Sequence, residues 1–359
     1  MTTPVSTEAP QARTRGILPA HAIEALRNSG AIRFDEPLAA DQIQPASLDL
    51  RLGAKAYRVR ASFLPGPARA VAERLDQLSL HEIDLRPGAV LETGCVYIAP
   101  LIESLELPAG IAAAANPKSS TGRLDIFTRV ITDHAREFDT VAEGYAGPLY
   151  AEISPRTFPC LVRMGSRLSQ IRFRRLPVAQ SDAGLALSVD LEGQKLDGPI
   201  GFRAKRHSGL IDVDRKEALE VEDFWDPIWP RGSLILDPGQ FYILASREWV
   251  RVPPDQAAEM VPFNPLVGEF RVHYAGFFDP GFGDRSGGGE GARAVLEVRS
   301  HEVPFVLEHG QLIGRLIYEP LTEPPARVYG QGIGSNYQRQ GLKLSKHFRP
   351  FRGARRPEA

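Results

Sequence analysis

The feature that most constrains the fold of this 359-residue chain is an internal repeat of domain size. Residues 151–176, AEISPRTFPCLVRMGSRLSQIRFRRL, align without gaps on residues 296–321, LEVRSHEVPFVLEHGQLIGRLIYEPL. Glu152 falls on Glu297 in this alignment, which is an offset of 145 residues. This period is far longer than the roughly 20–50 residues of a solenoid unit. The sequence therefore predicts two copies of one domain.

Both copies are predicted to consist mainly of short β-strands. The chain holds 33 Gly and 30 Pro, and both residue types favour turns. Helical spacing of apolar residues predicts one helix between Pro19 and Gly30 and another from about 68 to 80. Segments rich in β-branched, aromatic and aliphatic residues predict strands at CVYIAPL, LYAEIS, RLSQIRFRR, GQFYILAS, AVLEVRS and GRLIYEP.

The predicted domain organisation follows from the repeat and from a stretch between the copies that is rich in Gly and polar residues. We predict a flexible tail over 1–14, a first domain over 15–180, a linker or arm over 181–215, a degenerate second domain over 216–334 and a C-terminal tail over 335–359.

Composition excludes several classes of partner and location. Lys plus Arg number 43 and Asp plus Glu number 44, whereas general nucleic-acid binding needs a strongly basic surface. No run of apolar residues is long enough for a membrane span. Two cysteines do not make a disulfide framework, and the N-terminus lacks the apolar core of a secretory signal. We therefore expect a cytoplasmic protein that binds neither nucleic acid nor membrane.

The segment Lys118-Ser-Ser-Thr-Gly-Arg123 is a candidate anion site. Two cations bracket hydroxyl groups and a glycine, and a helical turn beginning at Ser119 or Ser120 would point open N–H groups at an anion. Pro117 stands where a P-loop needs Gly, so this is not a P-loop. On the residues alone, a capped and solvated turn is the alternative.

Glu152 is a candidate proton-transfer group. It lies within the predicted strand LYAEIS, on the same face as Tyr150 and Ser154. Burial of a strand carboxylate raises its pKa and suits it to general acid–base chemistry. The alternative is a glutamate that faces solvent.

Two further polar segments are candidates. Thr132-Asp-His-Ala-Arg136 follows apolar residues and is predicted to line a pocket, with Asp133 or His134 in proton transfer, or else to be a polar loop. The C-terminal stretch 335–346 mixes an aromatic ring, amides and cations that would suit folding over a nucleotide, or else it is a basic disordered tail. The zinc-hydrolase patterns HExxH and HxE…PCxxC do not occur, and neither does the serine elbow GxSxG.

Several of these motifs together resemble the dCTP deaminase family of the dUTPase-like superfamily. ILPAHAIEALRNSGAIRF followed by IQPASLDLRLG (43–53) is similar to the family's opening helix and strand. Residues 118–123 resemble its basic-Ser-Ser-x-x-Arg phosphate motif, and 132–136 its T-A-H-R segment. Gly144-Tyr-Ala-Gly147 with Glu152 resembles its turn and strand glutamate. Its C-terminal KYxxQ…S-R tail is similar to Asn336-Tyr337…Gln340…Ser345-Lys346.

The resemblance implies a mainly β fold of two tandem dUTPase-like domains, each a β-clip built as a distorted barrel or jelly roll, with a few short helices. It implies hydrolytic deamination of dCTP to dUTP and ammonia, with Mg²⁺ carried on the triphosphate, no zinc, and a homotrimer. The implied catalytic residues are Glu152 as general base with Ser119 and Asp133. The implied nucleotide-binding residues are Lys118, Ser119, Ser120, Arg123, Thr132, His134, Arg136, Tyr337, Gln340 and Lys346.

The sequence departs from the family pattern at three places. Asp133 stands where the family usually has a small residue, and Glu137–Glu143 is an insertion. The second copy has PFNPLVG (262–268) in place of the phosphate motif, so we expect it not to bind triphosphate by itself. Its retained Glu297 is either structural or part of a site shared with the first copy.

Two other functions stay open on the sequence. One is dUTP diphosphatase activity, alone or beside deamination, with Asp133 as the base. The other is a non-catalytic nucleotide-binding regulator, which the degenerate second copy favours.

Overall fold

The computed structural model describes residues 15–177, 184–193, 198–262, 270–272, 276–300, 302–331, 337–338 and 340–352. Within these residues the chain is mainly β, as predicted, with short helices between the strands. No helix in these ranges is long and apolar enough to cross a membrane.

The first half, over residues 15–177, consists of three helices and thirteen strands. In chain order they are β1 (Gly16–Ile17), α1 (Ala20–Asn28), β2 (Ile32–Phe34), β3 (Leu48–Leu50), β4 (Lys55–Val59), α2 (Val71–Leu78), β5 (Ser79–Asp84), β6 (Ala89–Leu91), β7 (Val96–Glu106), β8 (Ile111–Pro117), α3 (Ser119–Gly122), β9 (Ile126–Thr132), β10 (Thr140–Val141), β11 (Ala146–Pro155), β12 (Cys160–Val162) and β13 (Ser169–Arg175).

The second half repeats this β-rich composition over its described residues. Its elements are β14 (Gly184–Ser188), β15 (Gly201–Ala204), β16 (Ile211–Asp212), α4 (Val221–Phe224), β17 (Trp225–Ile228), β18 (Ser233–Leu236), β19 (Phe241–Val250), β20 (Gln256–Pro262), β21 (Phe270–Val272), β22 (Phe277–Phe278), a 3-10 turn (Arg285–Gly287), β23 (Ala292–Ser300), β24 (Phe305–Glu308) and β25 (Leu312–Pro320).

The sheets of the two halves have matching strand orders. The first half forms β5-β4-β7-β11-β9 and β1-β13-β8-β10, and the second half forms β17-β15-β19-β23-β21 and β14-β25-β20-β22. A smaller sheet pairs β6 with β12 in the first half and β18 with β24 in the second. Each half is therefore the same arrangement of antiparallel strands.

The register of these sheets confirms the repeat at the level of single residues. Glu152 pairs with Ile98 between β11 and β7, and Glu297 pairs with Ile243 between β23 and β19. Both members of the second pair are 145 residues beyond the first, which is the offset found in the sequence. The two glutamates thus occupy equivalent positions in equivalent strands.

The two helices predicted from apolar spacing are present. Helix α1 begins directly after Pro19 and ends before Gly30, whose positive φ of 80° suits glycine. Helix α2 lies inside the predicted range of about 68 to 80 and buries Val71 and Leu75. Each helix buries one apolar stripe against a β-rich core.

The predicted linker over 181–215 is wrong for its described part. Strand β14 pairs with β25, and β15 pairs with both β17 and β19, so this range opens the second repeat. A Cβ atom at Gly201 would lie 2.5 Å from a side-chain atom of Leu244 and 2.9 Å from the Ile243 carbonyl oxygen. The glycine in this strand therefore allows close strand approach, and does not mark a flexible connection.

One hydrophobic core joins the two halves. Phe158 of the first half packs edge-on against Trp225, with ring centroids 5.4 Å apart, and Trp225 also contacts Phe348 of the C-terminal segment. Trp225 is fully buried. This shared core fixes the first half, the second half and the C-terminal segment against one another, and so fixes any site between them.

Candidate active site

A cavity with a volume of about 400 Å³ lies between the two halves of the chain. Its lining comes from the first half, the second half and the C-terminal segment. The lining residues are Asp41, Gln44, Asp49, Pro117, Lys118, Ser119, Ser120, Arg123, Gly165, Arg167, Gln170, Val213, Asp214, Lys216, Met260, Gly276, Phe277, Phe278, Asp279, Phe282, Val295, Glu297, Tyr329, Tyr337, Gln340 and Lys346.

The predicted anion segment forms one wall of this cavity. Lys118 ends the extended chain after β8, and the single helical turn α3 begins at Ser119, as the sequence predicts. The Lys118 ammonium forms an ion pair with the buried Asp49 carboxylate. A second cation, Arg167, lies 3.6 Å from the same carboxylate. The segment thus presents cations and hydroxyl groups on one side of the cavity.

The C-terminal segment is attached to the anion segment through Arg123. The Arg123 Nη1 atom donates to Gln340 Oε1 at 3.0 Å and to the Lys343 carbonyl oxygen at 2.8 Å. The Arg123 guanidinium lies 3.9 Å from the centroid of the Tyr337 ring. Ser345 Oγ donates to the Ser120 carbonyl oxygen at 2.7 Å. Tyr337 and Gln340, both predicted site residues, are therefore held at the cavity by contacts with Arg123 of the anion segment.

Lys346, which the sequence analysis also assigned to nucleotide binding, lines the same cavity. Burial, together with the neighbouring cations Lys118 and Lys216, lowers the pKa of its ammonium to about 8. These cations are close enough to repel one another, so an anion between them would relieve the repulsion. Asn336 lies outside the described residues.

Glu297 of strand β23, in the second half, lines the same cavity. It is 4% exposed. Burial raises the pKa of the Glu297 carboxyl to about 8; the positive charge of Arg123 lowers it and the negative charge of Asp125 raises it. A carboxyl group in such a place exchanges a proton near neutral pH, which is the property that general acid–base catalysis needs.

An ion pair between the halves lies next to Glu297. Arg299 is on the same strand, and its Nη2 atom donates to Asp125 Oδ2 at 2.6 Å. Asp125 follows the anion segment by two residues and is fully buried. The pair therefore couples the strand that carries Glu297 to the anion segment of the other half.

Arg172 of strand β13 holds the second half's part of the cavity wall. Its side chain is fully buried, and its Nη1 and Nη2 atoms donate to the carbonyl oxygens of Ala258 at 2.9 Å and Phe278 at 3.2 Å. Its guanidinium also lies 4.1 Å from the centroid of the Phe277 ring. Burial raises the pKa of the adjacent Asp279 carboxyl to about 6, while Arg172 lowers it. Arg172 thus fixes the segment 277–279 against the first half.

Glu152 is not brought into this cavity, contrary to the sequence prediction. Its carboxylate accepts from Arg129 Nη2 at 2.6 Å and from Arg129 Nε at 3.2 Å, and its side chain is 2% exposed. Arg129 is in turn covered by Phe138, whose ring centroid lies 3.4 Å from the guanidinium. Phe138 belongs to the insertion noted in the sequence. The insertion therefore helps to close the first copy's glutamate position.

The predicted pocket at 132–136 is also not part of the cavity. Thr132 is buried in β9, whereas His134 and Arg136 are exposed. Asp133 Oδ1 accepts from the backbone N–H of Val71 at 2.7 Å, which is the first residue of helix α2. Asp133 is thus used as a helix cap, since the first N–H groups of a helix have no partner within it.

We expect Asp133→Ala to destabilise the fold by about 1 kcal/mol, the usual cost of losing a helix N-terminal cap. Catalytic turnover is expected to stay near the wild-type value because Asp133 lies outside the cavity. Urea denaturation and a nucleotide turnover assay measure the two quantities. If turnover were lost while stability stayed unchanged, Asp133 would have a part in the reaction and not only a capping role.

Asp49, Arg167, Lys216 and Asp279 were not predicted from the sequence as site residues, and the role of Glu297 was left open between a structural one and a shared site. The repeat could have pointed to one of them. Asp279 lies 145 residues after His134, so it occupies the position in the second copy that a candidate site residue has in the first. The sequence allowed a site shared between the two copies as one alternative for Glu297, but no pattern in it selects this alternative over a structural role. The second copy's counterpart of the anion segment, 262–268, lies almost wholly outside the described residues.

No group of three or more His, Cys, Asp or Glu side chains in the described ranges is arranged to hold a metal ion. Two buried carboxylate oxygens do line the cavity beside Lys118 without a hydrogen-bond partner among the described residues. They are Asp49 Oδ1 and Asp279 Oδ1. These acceptors fit the water shell of a Mg²⁺ ion that arrives on a triphosphate.

The fold and the cavity together define a dUTPase-like β protein with a cavity lined by several cationic side chains between two copies of one domain. Two family descriptions match the chain. The 2'-deoxycytidine 5'-triphosphate deaminase N-terminal domain matches residues 14–177, and the C-terminal domain of the same family matches residues 163–348. The chain belongs to the dCTP deaminase family.

Individual relatives agree with this assignment. A dUMP-forming dCTP deaminase of a Parafrankia species is 33% identical over 199 residues, which cover 53% of this chain and 92% of that protein. A dCTP deaminase of Shewanella amazonensis is 30% identical over 163 residues, covering 43% and 80% respectively. The crystal structure of the 2'-deoxycytidine 5'-triphosphate deaminase from Agrobacterium tumefaciens is 61% identical, with a TM-score of 0.83. That match covers 86% of this chain and all of that one.

Proposed function

We propose that the chain catalyses the hydrolytic deamination of dCTP to dUTP and ammonia, with Glu297 as the general base. The single observation that carries the proposal is the cavity, which is lined both by the anion segment with its cations and by the buried carboxyl group of Glu297, whose pKa burial raises to about 8. A nucleoside triphosphate needs cations at one end, and deamination of its base needs a proton-transfer group at the other.

The proposed reaction adds water to C4 of the cytosine ring. As the water oxygen bonds to C4, the C4=N3 double bond opens, and Glu297 in its ionised form takes one proton from the water and passes it to N3. The same carboxylate then takes the proton of the new C4 hydroxyl group and delivers it to the amino group. The C4–N bond to the amino group breaks, C4=O forms, and ammonia leaves. A carboxyl whose pKa is raised to about 8 by burial is suited to both halves of this cycle. Ser119 is proposed to help to hold the water.

The triphosphate is proposed to lie against Lys118, Ser120 and Arg123, with Lys346 completing the cationic wall. Arg123 offers a planar fork to phosphate oxygens, while lysine ammonium groups offer point charges. A Mg²⁺ ion bound to the triphosphate would neutralise part of its charge. Zinc is not part of the proposal, and a homotrimer in the cytoplasm stays an expectation from the family.

The direct test is to incubate the purified full chain with dCTP and Mg²⁺, assay ammonia, and separate the nucleotides. Ammonia together with dUTP is the expected result. Tight nucleotide binding without release of ammonia or pyrophosphate would contradict the proposal and indicate a nucleotide-binding regulator. Turnover of dUTP but not dCTP would indicate a dUTP diphosphatase instead.

A bifunctional enzyme is the second candidate, because relatives such as the Parafrankia protein are described as dUMP-forming. Hydrolysis at the α-phosphate needs a group that orients a second water near the phosphates. Asp49 Oδ1 and Asp279 Oδ1, which have no hydrogen-bond partner among the described residues, are acceptors for such a water. The same assay separates the candidates, since ammonia with dUMP and pyrophosphate supports the bifunctional enzyme.

A further inference from the structure

A second cavity of about 400 Å³ shares no lining residue with the candidate active site. Its lining comes from both halves of the chain. The residues are Thr93, Arg156, Thr157, Pro159, Arg206, His207, Ser208, Gly239 and Gln240. We infer that this cavity binds the phosphate group of a small phosphorylated molecule.

The charge of the lining is the first argument. Among the described residues, the lining contains two guanidinium groups, Arg156 and Arg206, and no carboxylate. Across the described residues neither arginine has an ion-pair partner, whereas the neighbouring Arg203 pairs with Asp226 at 3.1 Å. Acidic and basic residues are almost equal in number in this chain, so two unneutralised arginines at one concave surface are a local excess. Guanidinium groups grouped in this way are typical of phosphate recognition.

The way the walls are held is the second argument. The Arg299 Nη2 atom donates to Thr157 Oγ1 at 3.0 Å, and Arg299 Nη1 donates to the Gly239 carbonyl oxygen at 2.7 Å. Thr157 Oγ1 donates in turn to Asp125. One buried ion pair therefore holds a wall from each half, and the shape of the cavity is set before any ligand enters.

The remaining lining groups are suited to phosphate oxygens. Thr93 and Ser208 supply hydroxyl groups, and His207 supplies an imidazole. A phosphate carries nearly two negative charges at neutral pH, which matches two guanidinium groups; a single carboxylate would leave one of them unneutralised. The volume lies within the range of sites for small organic molecules, about 300–1,000 Å³.

The test is calorimetric titration of the full chain with inorganic phosphate and with pyrophosphate. The titrations use a Lys118→Gln background, which weakens binding at the candidate active site. We expect one binding event, and we expect Arg156→Gln combined with Arg206→Gln to weaken it by about ten-fold or more, since charged hydrogen bonds are lost. The tighter of the two probes identifies the ligand as a monophosphate or an oligophosphate.

The matched control is Arg203→Gln, which removes the same charge from a nearby arginine that already has an acidic partner. It should leave the titration unchanged. Absence of binding in the Lys118→Gln background, or binding that survives loss of both Arg156 and Arg206, would overturn the inference. Ammonia release from dCTP by the Arg156→Gln and Arg206→Gln chain should equal that of the wild type, so this result is independent of the proposed deamination.

Discussion

Glu297→Gln is expected to lower kcat for dCTP deamination by a factor of about 10² to 10⁴, the usual contribution of a general acid–base group. The amide keeps the size of the side chain but cannot accept the proton of the attacking water. Nucleotide binding should persist, because the cations of the anion segment are unchanged. Steady-state ammonia release and calorimetric binding of dCTP measure the two effects separately.

Glu152→Gln is the matched control, since Glu152 occupies the equivalent position in the first copy. This change leaves Arg129 with a weaker partner and is expected to cost about 1–3 kcal/mol of stability. Turnover should remain near the wild-type value at temperatures where the variant is folded. The proposed assignment is wrong if Glu152→Gln loses activity while Glu297→Gln keeps it.

The pH dependence gives an independent check on Glu297. Its ionised form is the proposed base, so kcat/KM should rise with pH through about 8. The stability effect has the opposite direction. The folded-state pKa of about 8 lies above the ordinary 4.5, so the free energy of unfolding falls as the pH rises from about 4.5 to 8. The Glu297→Gln variant lacks the titrating carboxyl and so does not lose this stability. The Tm of the variant minus that of the wild type should therefore increase over the same pH interval.

Much of the fold could be predicted because the repeat and the strand patterns are visible in the sequence without knowledge of how the chain packs. The 145-residue offset of the sequence repeat is also the offset between equivalent strand pairs of the two halves. Helix α3 begins at Ser119, directly after Lys118, as the segment predicted. The linker prediction failed because glycine has two physical uses. At Gly201 it admits a neighbouring strand, and composition alone cannot distinguish that from flexibility.

The site was only half predictable for a similar reason. Lys118, Arg123 and Tyr337 were identified by their chemistry, and they do meet in one cavity. The choice between Glu152 and Glu297 depends on how the two halves pack, which no local pattern encodes. Arg129 and Phe138 close one glutamate position while the other stays open to the cavity, and this asymmetry arises from tertiary contacts.

Arg123→Gln is expected to lower kcat/KM by about 10- to 100-fold, because charged hydrogen bonds worth about 1.5–3 kcal/mol are lost. Besides its proposed contact with the triphosphate, Arg123 acts on the site in two further ways. It holds the C-terminal segment through Gln340 and Lys343, and its positive charge lowers the pKa of Glu297. Removing that charge should therefore move the rise of kcat/KM to higher pH than in the wild type. Assays between pH 6 and 10 measure the midpoint (roughly two pH units either side of 8, which spans a single titration).

Arg123→Lys separates the two effects, because lysine keeps the charge but not the planar fork that donates to the C-terminal segment. The pH midpoint of Arg123→Lys should return toward that of the wild type. The C-terminal segment should nevertheless be cut faster by limited proteolysis in Arg123→Lys than in the wild type, as it should in Arg123→Gln. If the midpoint of Arg123→Gln equals that of the wild type, the titrating group is not Glu297 and the base must be sought elsewhere. A shift in Arg123→Gln that Arg123→Lys reverses would indicate that the titrating group is Glu297, the buried carboxyl whose pKa the charge of Arg123 lowers.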